Sequence, residues 1–457
     1  MKYLHLFLTA LLLVSCNSAQ DSADTDPPPN FVIIFIDDMG YGDIGPFGST
    51  VNETPHLDRM AEEGLKMTSF YVTSPVCTPS RAGLLTGSYP KRVGLAKFSS
   101  HTIGGNEWVL FPGDKTGLNP GEITIADLLK KAGYATGIFG KWHLGDQPQF
   151  LPTEQGFDEY FGIPYSNDMW PQNNNWQFPP LPVVQSKKVV DTVETMDDQA
   201  KLAYRFTKHA TDFIREHEDQ PFFVYLPHAF IHYPRAARQQ FMSDANNVTE
   251  AQIEEVDWST GRILQTLREE GLDKNTLVIF TSDNGGAGTD MGPLRGGKAT
   301  VWEGGFREPT IAWWPGTIPA GTVTGEMATA MDLLPTFADL AGVELPADRK
   351  IDGKNITNLL KSPSKAASPH EYFYYYVKDS LQAVRSGPWK FIRPDKLYHL
   401  EQDIGESNNL AAEHPDVVKR LKQAMHRFDR QLEKNIRKPG KVDHPRPLLP
   451  VPGSGSD

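Results

Sequence analysis

The stretch Phe31-Val-Ile-Ile-Phe-Ile36, followed directly by Asp37 and Asp38, decides the fold class of this chain. Consecutive apolar residues, most of them β-branched, are typical of a strand that is buried on both faces of a parallel sheet. Three further runs of this kind predict strands at Tyr134–Phe139, Pro221–Leu226 and Thr276–Phe280. Helical periodicity predicts helices at Thr54–Gly64, Ile123–Lys131, Lys201–Glu216 and Gln252–Glu270. This alternation predicts an α/β fold with a large, mainly parallel or mixed sheet between two layers of helices.

The pattern changes near residue 365. Short strands are predicted at Tyr372–Val377, Gln382–Arg385 and Trp389–Arg393, and one helix at Pro415–Glu433. Short strands joined by turns favour an antiparallel sheet. We therefore expect a catalytic domain at 30–365, a smaller C-terminal subdomain of antiparallel sheet plus helix at 366–440, and a tail at 441–457.

The N-terminal residues are typical of a targeting segment. After Lys2, an apolar run of roughly 11 residues is too short for the ~20 that a helix needs to span a bilayer. Its end, Leu13-Val-Ser-Cys16, resembles the lipobox of bacterial lipoproteins, which implies a signal peptide at 1–15, lipidation of Cys16 and a tether at 16–29. We expect an exported outer-membrane lipoprotein that faces the periplasm or the cell surface and meets the membrane through its lipid anchor. The alternative is a signal peptide cut near Ala19, giving a soluble periplasmic or secreted protein.

Composition excludes several classes of protein. The 457 residues carry 45 Lys+Arg against 57 Asp+Glu, a net charge of -12, which argues against a nucleic-acid binder. Two cysteines are too few for a disulfide scaffold or a zinc ribbon. A hydrophobic fraction of 39% is enough to build a large core.

Acidic residues follow two of the predicted strands. Asp37 and Asp38 end the first strand, and Asp283-Asn284 follows the strand that ends at Phe280. Sites in open α/β sheets form at the carboxyl ends of strands, and adjacent carboxylates repel each other unless a cation neutralises them. A solvated loop or a helix cap is the alternative for Asp37 and Asp38 alone, but the second acidic pair favours a metal site. Such all-oxygen ligands suit calcium or magnesium rather than zinc or copper.

The segment Cys77-Thr-Pro-Ser-Arg-Ala-Gly-Leu-Leu-Thr-Gly87 is the most informative motif. Its apolar run after Pro79 predicts a helix that begins near Cys77, and a helix N-terminus favours an oxyanion or a sulfate. The alternative is a buried structural thiol. The whole segment resembles the signature of the formylglycine-dependent sulfatases. Other stretches that resemble the family, in order, are Pro29–Gly48, Thr54–Thr68, Gly140–Gly145 (GKWHLG), Gly162–Ser166, Gly296–Arg307 and Leu397–Leu410.

The resemblance, closest to arylsulfatase A-like members, implies the alkaline-phosphatase-like fold and a sulfuric ester hydrolase. It implies that a formylglycine-generating or sulfatase-maturating enzyme oxidises Cys77 to formylglycine. The hydrated aldehyde then attacks sulfur and forms a covalent sulfo-enzyme. One Ca²⁺, or Mg²⁺ in its place, is expected on Asp37, Asp38, Cys77, Asp283 and Asn284.

The same resemblance implies roles for further residues. Arg81 is expected to stabilise the formylglycine oxygen, and Lys141 and Lys298 to bind the sulfate and stabilise its transition state. His143 is expected to be the base that regenerates the aldehyde. His232 is expected to be the acid for the leaving alcohol, with His228 as the competitor for that role or as a substrate-binding residue. Ser166 matches a position that contacts sulfate, although a plain loop hydroxyl is the alternative.

The predicted substrate is a sulfated carbohydrate. The segment Phe161–Pro182 carries aromatic residues among amides, including Trp170 and Trp176, which stack on sugar rings or, alternatively, form a lid packed on the core. Arg295 is expected either to bind a second anionic group or to be a surface charge. An exported member suggests an oligosaccharide from ulvan, carrageenan or another algal glycan, or alternatively from a host glycosaminoglycan. The alternatives are a phosphonate monoester or phosphodiester hydrolase of the same superfamily, and an inactive glycan-binding lipoprotein.

Overall fold

The computed structural model describes residues 27–97, 107–173 and 177–450. The predicted signal peptide, Cys16, most of the tether, Trp176 and the last residues of the tail lie outside the described residues. Within the described ranges, no helix has the length and apolar character needed to cross a bilayer.

The elements follow the predicted alternation. The strands in the described part of the chain are β1 (Asn30–Ile36), β2 (Leu65–Tyr71), β3 (Thr116–Gly117), β4 (Ala135–Lys141), β5 (Glu159–Ile163), β6 (Leu181–Gln185), β7 (Lys188–Val193), β8 (Phe222–Pro227), β9 (Thr276–Ser282), β10 (Arg307–Trp313), β11 (Thr322–Thr324), β12 (Ala328–Thr329), β13 (Phe373–Val377), β14 (Ser380–Ser386), β15 (Trp389–Ile392), β16 (Lys396–His399) and β17 (Gly440–Lys441). The α-helices there are α1 (Pro55–Glu63), α2 (Cys77–Thr86), α3 (Ile125–Lys131), α4 (Met196–Ala200), α5 (Leu202–Glu216), α6 (Gln239–Met242), α7 (Val248–Glu269), α8 (Glu303–Phe306), α9 (Leu333–Leu340), α10 (Thr357–Lys361) and α11 (Pro415–Glu433).

The central sheet has 11 strands in the order β11-β2-β10-β9-β1-β8-β4-β5-β6-β7, with β12 paired to β2. The five strands β9, β1, β8, β4 and β5 run parallel, and β10, β6 and β7 add antiparallel pairs at the two sides. The predicted large, mainly parallel or mixed sheet is therefore confirmed. Ile36 pairs with Ser282 at the ends of β1 and β9. This register places the residues that follow the two strands side by side.

Strand β1 lies at the centre of the core, and every one of its residues is buried. Alternate residues beginning with Phe31 pack in the layer that contains α2, α3 and α9. The residues between them, beginning with Val32, pack in the layer that contains α5 and α7. Burying each such side chain stabilises the fold by about 1.5–3 kcal/mol, so the continuous apolar run anchors the sheet between its two helical layers.

The longest helix begins earlier than its apolar pattern indicates. Helix α7 starts at Val248 instead of Gln252, because the side chain of Asn247 accepts hydrogen bonds from the backbone N–H groups of Thr249 and Glu250. An Asn cap of this kind satisfies amides that have no partner within the helix. The first turn is polar, and apolar periodicity therefore did not reveal it.

The C-terminal part forms the predicted smaller sheet plus helix. Strands β13, β14, β15 and β16 are antiparallel and consecutive, and α11 has the predicted bounds. Leu421 and Met425 of α11 are fully buried and pack with Phe373 and Tyr375 of β13. Strand β16 was not predicted as a strand, although it lies in the stretch Leu397–Leu410 that resembles the family.

Glu303 joins the C-terminal sheet to the main sheet. Its carboxylate accepts hydrogen bonds from Tyr71 of β2 at 2.5 Å, Tyr375 of β13 at 2.8 Å and Lys390 of β15 at 2.9 Å. Burial raises the pKa of Glu303, but nearby Lys390, Arg307 and Arg385 outweigh it and lower this pKa to about 2. A buried carboxylate with these partners stays ionised, and it ties three separate segments together.

Replacing this carboxylate is expected to destabilise the protein strongly. Glu303→Gln removes one of the two counter-charges of the fully buried Lys390, the one at 2.9 Å, and leaves Glu406 at 2.8 Å as the other. Because breaking a buried ion pair costs about 3–5 kcal/mol when no partner remains, we expect a loss of up to about 3 kcal/mol here. Urea unfolding measures the loss. As a matched control, Lys208→Ala removes an exposed pair with Asp212 and should change the free energy of unfolding by less than about 1 kcal/mol. Equal effects of the two substitutions would contradict this account of Glu303.

Candidate active site

The carboxyl ends of three parallel strands converge on one point. Asp37 follows β1, Asp283 follows β9, and Lys141 is the last residue of β4. The backbone fixes the first two, because Asp37 N donates to Phe230 O at 2.8 Å and Asp283 N donates to Ile36 O at 2.8 Å. The sheet register thus builds a cluster of charged side chains at the site that the sequence predicted.

Arg81 holds this cluster from helix α2. Its guanidinium donates to Asp283 Oδ2 through Nη2 at 2.7 Å and through Nε at 3.1 Å. Its Nη1 donates to Lys141 O at 2.9 Å. All three side chains are fully buried. Two charge-assisted bonds to one carboxylate fix its orientation as well as its charge.

Two lysines pair with the remaining carboxylates. Lys141 Nζ donates to Asp37 Oδ2 and to Ser166 Oγ, the latter at 3.0 Å. Lys298 Nζ lies 2.7 Å from Asp38 Oδ1. Burial raises the pKa values of Asp37 and Asp38, but the cations outweigh it, above all Lys141 for Asp37 and Lys298 for Asp38. Both aspartates are therefore ionised at neutral pH.

The donor atoms fit a hard divalent cation. Asp37 Oδ1 and Asn284 Oδ1 are buried and have no hydrogen-bond partner among the described residues. Ligand atoms of Asp37, Cys77 and Asp283 all lie within 4.8 Å of one another. Unpaired buried acceptors cost about 1–3 kcal/mol each, which a bound cation would offset. Carboxylate and amide oxygens are ligands for Ca²⁺ or Mg²⁺, whereas a thiol is not; oxidation of Cys77 to a hydrated aldehyde would complete an all-oxygen site.

Cys77 is the first residue of α2, and its side chain is buried at 2% exposure. Burial raises the pKa of its thiol to about 11, although Lys141 and Lys298 act in the opposite direction. The thiolate is the nucleophilic form of cysteine, so an unmodified Cys77 would be almost inert at neutral pH.

A cavity of about 430 Å³ opens onto residue 77. The predicted residues that line it are Cys77, His143, Ser166, His232 and Lys298. Arg81, Lys141, Asp37, Asp38, Asp283 and Asn284 lie behind this wall, in the buried cluster described above. The lining residues that sequence reasoning missed include Trp108, Asp168 and Met169. The last two stand close to Ser166 in the chain, which is the signal that would have found them.

The two cavity histidines are held differently. His143 Nε2 lies 3.0 Å from Leu110 O, which can only accept, so Nε2 carries the proton and the buried Nδ1 presents a lone pair. Burial, with Lys141 and Arg81, lowers the pKa of His143 well below 6.5, so the ring is neutral. His232 has Nδ1 2.6 Å from Tyr233 O and Nε2 3.6 Å from Asp38 Oδ2. Both nitrogens of His232 face acceptors, which suits a ring that donates protons.

Three predicted substrate-binding residues do not line the cavity. His228 is fully buried, with Nε2 2.9 Å from Ser259 Oγ. Trp170 is 4% exposed and packs in the main core, as the alternative of a lid on the core foresaw. Arg295 stacks on the Trp302 ring at 3.7 Å and donates to Glu406 O at 2.7 Å. Packing against other protein groups occupies each of these side chains, and their substrate contacts stay predictions.

His228 should make stability depend on pH. Burial lowers its pKa from 6.5 to about 3, so between these values the unfolded chain binds a proton that the folded protein does not. The stability is present above pH 6.5 and is lost as the pH falls, by about 2 kcal/mol at pH 5. Urea titrations at pH 7 and pH 5 should show a smaller decrease for His228→Gln than for the wild type. An identical decrease would contradict the assignment.

Sequence comparisons agree with this geometry. A family model described as Sulfatase matches residues 29–343, and one described as N-sulphoglucosamine sulphohydrolase, C-terminal, matches residues 297–431. N-acetylgalactosamine-6-sulfatase of Mus musculus is 40% identical over 402 residues, which cover 84% of this chain and 74% of that protein. Arylsulfatase A of Homo sapiens is 37% identical over 451 residues, covering 87% of each.

A solved structure extends the likeness to the whole fold. Ps i-CgsB in complex with k-i-k-neocarrahexaose is 28% identical to this chain, with a TM-score of 0.79 over 90% of this chain and 95% of that one. The first family match covers more than half of the 457 residues, and both relatives exceed 30% identity. The chain belongs to the sulfatase family and is a sulfuric ester hydrolase on the alkaline-phosphatase-like fold.

Proposed function

We propose that this sulfatase removes sulfate from a sulfated carbohydrate and uses an oxidised residue 77 as its nucleophile. The observation that carries the proposal is the position of Cys77, at the floor of a cavity and against a buried cluster of carboxylates and cations. A cavity of about 430 Å³ with apolar walls and a few polar groups is of a size that takes a small ligand. The carbohydrate class is supported by the neocarrahexaose bound to Ps i-CgsB and by the name of N-acetylgalactosamine-6-sulfatase.

The groups that the family implies supply two parts of the chemistry. A formylglycine hydrate at position 77 would offer a hydroxyl nucleophile. Asp37, Asp38, Asp283 and Asn284 would hold a divalent ion, which would lower the pKa of that hydroxyl and offset the charge of the sulfate. Arg81 keeps Asp283 in place through its two hydrogen bonds. Lys141 and Lys298 are the ammonium groups that would orient the sulfate oxygens.

Proton transfer is assigned to the two cavity histidines. His232, with both ring nitrogens facing acceptors, delivers a proton to the oxygen of the leaving alcohol. The neutral His143, with an unprotonated Nδ1, accepts the proton released when the sulfate is expelled. One histidine can act as the acid and the other as the base, because the structure gives them different surroundings.

Substrate competition tests the proposed function. Purified mature protein is given an aryl sulfate, monosulfated sugars, an aryl phosphate, an aryl phosphonate monoester and a phosphodiester. We expect the highest kcat/KM for a sulfate ester of a sugar. A higher value for the phosphonate or the phosphodiester would favour that hydrolase activity instead. Binding of sulfated sugars without any turnover by mature protein would favour the inactive lipoprotein.

Removal of divalent ions is expected to abolish turnover. Without the cation, Asp37 Oδ1 and Asn284 Oδ1 have no partner, and nothing supports ionisation of the nucleophile. Activity is measured after treatment with a chelator and again after addition of Ca²⁺ or Mg²⁺, with the metal content determined in parallel. We expect recovery with one of these two ions. Full activity in protein shown to be free of metal would contradict the metal site.

Export is also part of the proposal. The stretch Leu13–Cys16 supports a lipid-anchored location, with the anchor on Cys16. Mass spectrometry of the N-terminal peptide of the mature protein tests this location. A diacylglycerol-modified Cys16 supports it, whereas an N-terminus near Asn17–Gln20 without lipid favours the soluble, exported alternative.

A further inference from the structure

Asp168 is an acidic residue of the reaction cavity that the chemistry described above does not use. It lines the same wall as Cys77 and His232. Its position is fixed by two local contacts: its carbonyl oxygen accepts from Asn173 Nδ2 at 2.9 Å, and Met169 N donates to Ser166 O at 3.0 Å. The carboxylate is therefore held at the cavity by the backbone that also carries Ser166.

The side chain of Asp168 lacks the partners that other acids of the site have. Asp37 contacts Lys141, Asp38 contacts Lys298, and Asp283 contacts Arg81. Asp168 Oδ1 is buried and has no hydrogen-bond partner among the described residues, and no Lys or Arg of the described ranges forms an ion pair with it. Because Asp168 lines the substrate cavity and no described Lys or Arg pairs with it, its carboxylate can accept a hydrogen bond from a ligand N–H or O–H group.

The surroundings of Asp168 indicate what kind of ligand it accepts. Trp108, Val109 and Met169 give the cavity an apolar surface beside the carboxylate. An apolar or aromatic surface next to a carboxylate suits a sugar ring, whose C–H face packs while its hydroxyl groups donate. Lys298 is the sole Lys or Arg on the described part of this wall, and Asp38 already holds it.

A second anionic group on the substrate would therefore lie near a carboxylate, and the described part of the wall offers it no unpaired Lys or Arg side chain. Like charges at short range in a partly buried site repel each other strongly. Arg295 was expected to bind such a second anionic group. Its guanidinium instead stacks on Trp302 and donates to Glu406 O, and it does not line the cavity. The wall selects for a ring whose substituents near the scissile sulfate are neutral hydrogen-bond donors.

We propose that Asp168 is a specificity-determining residue: it accepts a hydrogen bond from a hydroxyl or amide N–H of the sugar that carries the scissile sulfate, and it rejects sugars with a second sulfate or a carboxylate beside it. This inference rests on the proposed function and narrows its substrate class to rings that are uncharged apart from the sulfate removed.

The test compares Asp168→Asn and Asp168→Ala with the wild type on three kinds of probe. The probes are an aryl sulfate, monosulfated galactose and N-acetylgalactosamine with the sulfate at position 4 or 6, and the 4,6-disulfated forms of both sugars. The control variant is Asp379→Asn, which changes an exposed aspartate on the turn between β13 and β14. Thermal unfolding of all variants shows whether each one is folded.

We expect the wild type to prefer the best monosulfated sugar over its disulfated form by at least about tenfold. Asp168→Ala should lower kcat/KM for that sugar by about 10–100-fold, without lowering turnover of the aryl sulfate, which lacks the hydroxyl partners. Asp168→Asn should lower the ratio of kcat/KM for the monosulfated sugar to kcat/KM for its disulfated form, because it removes the charge of the side chain and keeps its shape. Asp379→Asn should match the wild type.

Two results would overturn the inference alone, and a third would overturn the proposed carbohydrate substrate as well. Equal losses on the aryl sulfate and on the sugar would show a general structural role for Asp168. An unchanged ratio between the monosulfated and disulfated sugars in Asp168→Asn would show that the carboxylate does not select charge. If the wild type hydrolyses the aryl sulfate but none of the sugars, the proposed carbohydrate substrate itself is wrong, and the inference falls with it.

Discussion

Replacing Cys77 with alanine should abolish hydrolysis of every sulfate ester while the fold stays intact. Loss of an enzyme's nucleophile lowers kcat on the order of 10⁶-fold. The side chain lost is small, and alanine has a higher helix propensity than cysteine at the start of α2. We therefore expect the melting temperature to change little. Steady-state kinetics and thermal unfolding of the same preparation measure both effects.

A matched control separates the residue from its modification. Wild-type protein produced without a maturating enzyme keeps the thiol, whose pKa burial raises to about 11, and it should be as inactive as Cys77→Ala. Substantial turnover by either protein would show that another group is the nucleophile. Turnover by the unmatured protein alone would show that the thiol itself reacts.

Replacing Lys298 with alanine should give the second largest loss. Its ammonium group lies 2.7 Å from Asp38 and lines the cavity, and loss of one preorganised charged donor costs on the order of 10²–10³-fold in kcat. The residue lies in the loop between β9 and α8. Because its loss leaves the buried Asp38 without this counter-charge, thermal unfolding of the variant is measured beside the kinetics to separate lost stability from lost catalysis. Kinetics with a sugar sulfate and with inorganic sulfate as inhibitor measure the effect.

Two comparisons make the Lys298 result specific. Lys298→Arg should recover part of the activity because it keeps the charge, and the exposed Lys208→Ala should match the wild type. An increase in KM with an unchanged kcat would contradict a role in the transition state, since it would mean that Lys298 contributes equally to binding substrate and transition state.

The parallel half of the sheet could be predicted because its strands are buried on both faces. Strand β1 is an unbroken apolar run, and such a run is typical of a strand that is covered on both faces of a parallel sheet. Strand β2 was not predicted, because Lys66 and Thr68 interrupt its apolar residues. Strand β10 begins with Arg307 and Glu308, which are buried in spite of their charge. Burial of these residues depends on tertiary partners that the local sequence does not contain.

The candidate site could also be predicted only in part from the sequence. Residues at strand ends and in long motifs, such as Asp37 and Lys141, lie together as expected. His228 and His232 are four residues apart on one segment, and only the fold separates them, because β8 carries His228 into the core beside Ser259. Asp168 lies just beyond the stretch Gly162–Ser166, and the lack of a hydrogen-bond partner for its Oδ1 among the described residues is visible only in three dimensions.

The most direct test of the account is the mass of the peptide that contains Cys77, measured on mature, active protein together with its specific activity. We predict a mass lower by the difference between a thiol and an aldehyde, in a fraction that rises in proportion to kcat across preparations. Fully active enzyme in which every Cys77 is an unmodified thiol would contradict the central claim, because the reactive group at the floor of the cavity would then not be the one proposed.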